Sequence, residues 1–468
     1  MAGQAPPPDG FERQVGTLQA TAINMTQMCG IGPFVTIPLM VTAMGGPQAM
    51  FGWLVGALIV LADGLIWAEL GAAMPRAGGS YVYLREAFQY RTGRLMPFLF
   101  AWSAVLFIPL IMSTGVIGLV KYLAYLWPGL VSADGGEING TGRLIGILVV
   151  VIAVVALWRR IGQIGKLTAG LFVVMLLSVI ALILASLTHF HASLAFAYTP
   201  GAFSFSGGAL WAGLGSGLIL AVYDYLGYNT TAYLGAELKN PGRTLPRSII
   251  YSILAMMGIY FLLQIGVLGV LPWQDISQSN FFASVVLEQT WGKIAASVVT
   301  VAIVITAFGS IFTGLLGGSR VPYEAARDKL FLPWFGKLHP RLNFPTTGVL
   351  MMGLITAIGS LFDLSEVIAM LTAVFVLIQA VAQIAALTVL RRRQPDLPRP
   401  YKQWLYPIPS VIALAGWIFI YTQTGWLDIW LSLAWLAAGT IAFTIWSSVE
   451  KVWPFGAKEI KEEFLTTP

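Results

Sequence analysis

Twelve apolar stretches follow one another along this chain. They centre on residues 16–42, 47–74, 95–127, 143–158, 166–188, 209–236, 247–271, 293–319, 345–362, 365–390, 404–423 and 427–449. A helix needs about 20 such residues to cross the hydrocarbon of a bilayer. The fourth stretch is short for that task and the rest suffice. Charge supports the same conclusion, since only 10% of the 468 residues are charged, against about 25% in soluble domains. That leaves too little polar surface to coat a water-soluble globule. The expected fold is an all-α integral membrane protein with twelve transmembrane helices.

An even number of spans puts both termini on one side, and the basic residues say which. Of 27 lysines and arginines, 24 fall in loops or termini on one face of this arrangement, and only Lys121, Arg143 and Lys293 fall on the other. Basic loops stay cytoplasmic, so both termini are expected inside, in a multi-pass protein of the cell (inner or plasma) membrane. The net charge of +6 follows from this bias and calls for no nucleic acid. The start, MAGQAPPPDGFERQ, is polar and proline-rich, the pattern of a short arm rather than a cleavable signal. A single cysteine, Cys29, excludes a disulfide framework, and the three histidines lie outside the spans. Neither a metal centre nor a membrane-embedded enzyme is expected.

Acids inside the spans single themselves out. An ionisable side chain near mid-bilayer costs roughly 2.5–3.5 kcal/mol on insertion scales and normally faces a cavity or a partner. Asp63, Glu69 and Asp224 are such residues, and Glu237 sits at the inner end of the sixth span. Asp224 lies in AVYDYLGYNTTAYLG, beside Gly227, Asn229, Thr230 and Thr231. Two roles fit it: meeting a cationic group or a coupling proton, or pairing with a nearby hydroxyl. Glu69 is nearer the cytoplasmic end, where contact with an inner-loop arginine is expected. Asp63 is expected to supply packing polarity.

Two spans carry helix-weakening residues at corresponding places, five spans apart. The first is interrupted in CGIGPFVTIP, at Gly30–Pro33, and the sixth around Tyr223–Tyr228. Paired interruptions of this kind point to the substrate site of an inverted-repeat transporter. Unwinding frees backbone N–H and C=O groups that lipid cannot satisfy, so they must line a polar cavity. A half-helix starting near Pro33 would offer free amides and a positive dipole end to a carboxylate. Carbonyls of the preceding half suit an ammonium.

These segments, with others in order along the chain, resemble the amino acid–polyamine–organocation permeases. CGIGPF resembles that family's first-span motif. AELGAAMPRAGGSYVYLREAF (68–88) is similar to its second span and first inner loop, and YLGAELKNPGRTLPRSI (233–249) to its loop after span six. GGSRVPYEAARDKLFLPWFGKLHPRLNFP (317–345) and LRRRQPDLPRPYK (390–402) resemble the loops after spans eight and ten.

The resemblance implies a LeuT-type 5+5 inverted repeat with broken helices 1 and 6. Its parts are a cytoplasmic arm at 1–14, repeats at 15–190 and 205–392, two further spans at 403–450 and a cytoplasmic tail at 451–468. It implies secondary transport of amino acids by alternating access. The alternatives are a polyamine or other organic-amine transporter, or an exchanger without ion coupling. Carried over by position, substrate binding falls on Asn24, Met28, Gly30, Ile31, Gly32, Ala221, Val222, Tyr223 and Asp224. Tyr223 takes the place of an outer aromatic gate and Phe107 that of a pocket wall. Arg13 and Glu237 fall where inner gating charges sit. No cofactor is implied beyond a coupling H+ or Na+, with Asp224, Glu69, Thr306 and Ser310 as candidates. The lysine of some proton-coupled members is replaced near Met175. Three residues depart from the pattern. Ile31 removes a hydroxyl, Pro33 removes an N–H, and Asp224 adds a carboxylate. All three favour an amine over a carboxylate. The lipid bilayer and a small-molecule substrate are the expected partners, with a monomer and a homodimer both open.

Overall fold

The computed structural model describes residue 13 and residues 15–76, 78–132, 137–158, 161–205, 207–339 and 345–456, with 161–169 by backbone alone. Most of the expected arm (1–14) and tail (451–468) therefore lies outside the described residues.

The described chain is helical, and two isolated bridges are its only β-type pairings. The principal helices are α1 (Thr17–Cys29), α2 (Gly32–Ala43), α3 (Met50–Ala73), α4 (Ser80–Thr92), α5 (Leu95–Leu126), α6 (Gly140–Ala156) and α7 (Ile161–Thr188). After them come α8 (Ala209–Tyr225), the single turn α9 (Thr230–Tyr233), α10 (Pro241–Leu268), α11 (Lys293–Gly318) and α12 (Arg320–Arg327). The remainder are α13 (Thr346–Gly359), α14 (Leu364–Phe375), α15 (Ala382–Arg393), α16 (Ile408–Gln423) and α17 (Trp426–Glu450). A π-helical stretch, Val376–Val381, joins α14 to α15.

Seven helices among the described residues are long and apolar enough to cross a membrane, and α1 with α2 makes an eighth span bent by 49°. α6, α13 and α16 are apolar but shorter. Their outward faces are apolar too. Leu144, Leu148, Val151 and Val155 on α6, and Trp430, Ile441, Ile445 and Val449 on α17, are exposed. Helices apolar on every side belong in lipid or in a large core. Here both occur. The most apolar part of Leu364–Arg393 is 72% buried, whereas that of α17 is 17% buried, so the former lies inside the bundle and the latter on its rim.

The chain enters the first span through an extended residue. Val15 exchanges backbone bonds with Glu237 and Lys239, so the N-terminal approach is tied to the segment after α9. Asn240, in the left-handed region at φ 47°, turns the chain, and Pro241 starts α10. Proline suits the first helical turn because its missing N–H has no partner there anyway. α1 packs on α10, α2 on α8, and α3 on both α8 and α10. The two interrupted spans thus share one set of neighbours.

Candidate substrate site

α1 ends at Cys29, where the Gly30 amide donates back to the Thr26 carbonyl at 3.4 Å. α2 begins at Gly32, and Phe34 donates to the Ile31 carbonyl at 3.1 Å. The amides of Ile31 and Gly32 lie past the last bond of one helix and ahead of the first bond of the next. Neither ladder consumes them. Pro33, in the first turn, gives up an N–H that would also have been unpaired.

A second break, between α8 and α9, lies beside the first. α8 ends at Tyr225, and the Leu226 amide turns back to the Tyr223 carbonyl at 3.0 Å. Gly227 takes φ +114°, and a side chain there would collide with Gln27. Glycine is required twice over at this point, by the dihedral and by the contact. One turn of helix, α9, then resumes the span. Asn24 of α1 caps it from outside, its Oδ1 accepting from the Thr231 amide at 3.0 Å.

Tyr260 of α10 joins the two breaks. Its phenol lies 2.9 Å from the Met28 carbonyl and 2.9 Å from the Asp224 carbonyl, and its single O–H is shared between them. Asp224 itself is buried. Its Oδ2 accepts from the Thr36 hydroxyl, while Oδ1 has no hydrogen-bond partner among the described residues. The carboxyl rests on the Cα of Gly32, where a methyl group would collide with Oδ1.

A narrow cleft opens at this junction. Gly30, Ile31, Gly32 and Asp224 form its polar side, and Ile111, Met112 and Leu226 part of its apolar side. Tyr223 closes one wall, with its phenol 2.5 Å from the Thr114 hydroxyl. Ser310 closes another, and the space beside Gly30 is so tight that a Cβ there would stand 3.3 Å from Ser310. Unused amides and a carboxyl with no cation partner among the described residues, side by side on one wall, can meet a small molecule carrying both charges.

A model of the family described as amino acid permease matches residues 15–455 of the chain. The chain belongs to the amino acid permease family. Curated relatives agree across nearly the same length. It is 27% identical to the branched-chain amino acid permease BcaP of Bacillus subtilis over 450 residues, 93% of each chain. With BcaP of Lactococcus lactis the identity is 26%, over 87% of this chain and 86% of the relative. With the serine/threonine exchanger SteT of Bacillus subtilis it is 28%, over 89% and 92%.

Of the expected site residues, this permease brings Met28, Gly30, Ile31, Gly32, Tyr223, Asp224 and Ser310 to the cleft. Asn24, Ala221 and Val222 do not line it. Asn24 is used as the cap of α9, and Ala221 packs against Gly56 of α3. Met28 lines the cleft, but its carbonyl is taken by Tyr260. Phe107 is a core residue, edge-on to Phe375 at 5.7 Å. Thr306 is buried and donates to its own helix at Ala302. Ser310 likewise donates to Ala307, at 2.9 Å. Met175 is buried.

The charged residues expected at the inner gate fall at the end of the bundle that carries the basic loops. Glu69 is buried and takes both Arg391 (Nε–Oε1 2.8 Å, Nη2–Oε2 2.5 Å) and Arg399 (3.4 Å). The Gln403 amide donates to it as well, at 2.6 Å. Burial pulls the Arg399 guanidinium down from its usual range, and Glu69 opposes that pull. Glu237 lies 3.8 Å from Arg320. Asp328 meets Arg85 at 3.4 Å and Tyr81 at 3.2 Å. Arg13 is half-buried, two residues before the Val15 bridge to Leu238.

Sequence reasoning missed Thr36, Tyr260, Met112 and Gly115 as neighbours of the site. Thr36 lies four residues beyond Gly32, on the same face of α2, which was a usable signal. Tyr260 carries none, because its role depends on which helices meet.

Proposed function

We propose that this permease is a secondary active transporter of neutral amino acids working by alternating access. One observation carries the reading. The unused amides of Ile31 and Gly32 and the carboxyl of Asp224 line one cleft, together with the apolar side chains of Ile111, Met112 and Leu226. The amides receive the substrate carboxylate, Asp224 receives its ammonium, and Ile111, Met112 and Leu226 receive a small apolar side chain. Relatives acting on branched-chain amino acids and on serine and threonine support a substrate of this size.

The reading includes twelve spans. The seven long helices, the bent α1–α2 pair, the shorter α6, α13 and α16, and α8 continued into α9 make up that number. The breaks in the first and sixth spans, joined by Tyr260, support two inverted five-span repeats with two spans added. Both termini are placed in the cytoplasm on the strength of the basic loops. Proton coupling is favoured by buried carboxyls that have no ion-pair partner among the described residues.

A second reading, an amine or polyamine carrier, is favoured by the carboxylate of Asp224. Counterflow in proteoliposomes separates the two. L-isoleucine, L-serine, L-arginine and putrescine are each tested as the trapped and the labelled species. The proposal expects saturable exchange of isoleucine or serine. Exchange confined to putrescine transfers the assignment to the second reading, and exchange of none overturns both.

A further inference from the structure

We propose that Asp63 is a proton-binding site that controls the unwound segment of the sixth span through Tyr228. The inference does not depend on which substrate is carried.

Asp63 sits in the middle of α3, away from the cleft, and is 1% exposed. Its Oδ2 accepts from the Tyr228 hydroxyl, and its Oδ1 has no hydrogen-bond partner among the described residues. Tyr228 belongs to the four-residue break between α8 and α9, directly after Gly227. The carboxyl of one helix therefore holds a residue of the element that must rearrange if the sixth span moves.

The surroundings offer donors only. The indole N–H groups of Trp67, one turn along α3, and of Trp417, on α16, face the same carboxyl without meeting hydrogen-bond geometry, and both are buried with no hydrogen-bond partner among the described residues. From α10 the side chains beside this stretch are Ile249 and Ile253, at Gly64. Tyr228 is the titratable group in contact. Beyond it, Tyr83 and Tyr233 pack edge-on to Trp67, each at 6.0 Å. Glu69, six residues further along α3, is already paired with Arg391 and Arg399. No cation lies within ion-pair distance of Asp63 among the described residues.

Two protonation states therefore have different best geometries. The neutral carboxyl suits the arrangement seen, with one phenol bond and a loose oxygen, because a buried carboxylate without a cation is costly. The carboxylate can recover part of that cost by drawing in the two waiting indoles. That would pull α16 and α3 together and shift Tyr228 with the break. The proton is taken from water and returned to it, so no other reactant is needed.

The test uses the full chain in liposomes without amino acid, so its failure is distinct from a failure of the transport assignment. Infrared difference spectra are recorded as the sample is titrated from acid to alkaline pH. The expected result is a protonated-carboxyl C=O band that disappears with rising pH, is absent in Asp63→Asn and persists in Asp224→Asn. Tyr228→Phe removes the hydrogen bond to the carboxyl, so the midpoint of its band should move. Hydrogen exchange of residues 226–229, corrected for intrinsic rates, should change across the same titration in wild type and not in Asp63→Asn. An Asp63→Asn spectrum identical to wild type overturns the site. An unmoved Tyr228→Phe midpoint overturns the link to the break. If Asp63→Asn does not fold, Tyr228→Phe decides alone, since it removes no charge.

Discussion

The carboxyl of Asp224 lies directly on the Cα of Gly32, with no room for a methyl group between them. Gly32 opens α2 and Asp224 lies in the last turn of α8. The absence of a side chain at position 32 is what lets the Asp224 carboxyl pack against the start of α2.

Gly32→Ala should therefore separate the two spans or displace Asp224. Overpacking of this kind costs about 1–3 kcal/mol, so the protein should still fold. Uptake in proteoliposomes should fall to near background while the thermal midpoint drops by only a few degrees. Gly258→Ala and Gly317→Ala, with open space around them, should leave both measurements near wild type. Normal uptake by Gly32→Ala would show that the contact is dispensable.

Asp224→Asn keeps the shape and the capacity to accept from Thr36 but removes the charge. A hydrogen bond to a charged group contributes about 1.5–3 kcal/mol, or roughly a tenfold to hundredfold change in affinity. Substrate affinity by thermal shift or scintillation proximity should fall by that factor. An unchanged affinity assigns the ammonium to another group.

Tyr260→Phe removes the donor to both Met28 and Asp224 carbonyls. Its direct cost is about 1 kcal/mol, spread over two unwound segments. Hydrogen exchange should quicken at residues 26–32 and 224–230 together. Faster exchange in one segment only would mean that the phenol does not join them.

Glu69→Gln leaves Arg391 and Arg399 facing a neutral group at a buried position. Breaking a buried ion pair costs about 3–5 kcal/mol, and the Arg391 side chain, at 22% exposed, recovers part of that from water. A loss of about 2 kcal/mol is expected, seen as a clear fall in thermal midpoint. Arg391→Lys should rescue little, because the two-pronged contact and the stacking on Tyr406 at 3.9 Å need a guanidinium. A midpoint equal to wild type in Glu69→Gln would remove this cluster from the stability of the fold.

Much of this protein was legible in its residues. Apolar run length marked the long membrane helices, because a chain in lipid must close its hydrogen bonds within each segment. Glycine and proline marked the breaks at Gly30–Pro33 and near Gly227, because those residue types change local dihedral preference and donor count wherever the rest of the chain lies. The expectation of an arginine partner for Glu69 followed from charge and depth alone, although Arg391 and Arg399 were not singled out.

What the residues could not say was which groups meet. Position along the span puts the Asn24 carbonyl near the site, and only the packing shows that its side chain caps α9. Phe107 was placed in the pocket wall, and it packs against Phe375 instead. Tyr260 and Thr36 drew no notice, and they hold the two breaks together. Local physics acts through neighbours in the chain, so composition and spacing determined the membrane class, the long helices and the breaks. The cleft depends on contacts between residues far apart in the chain, such as Gly30 with Ser310, and only the packing of the bundle decided which of them Asp224 would face.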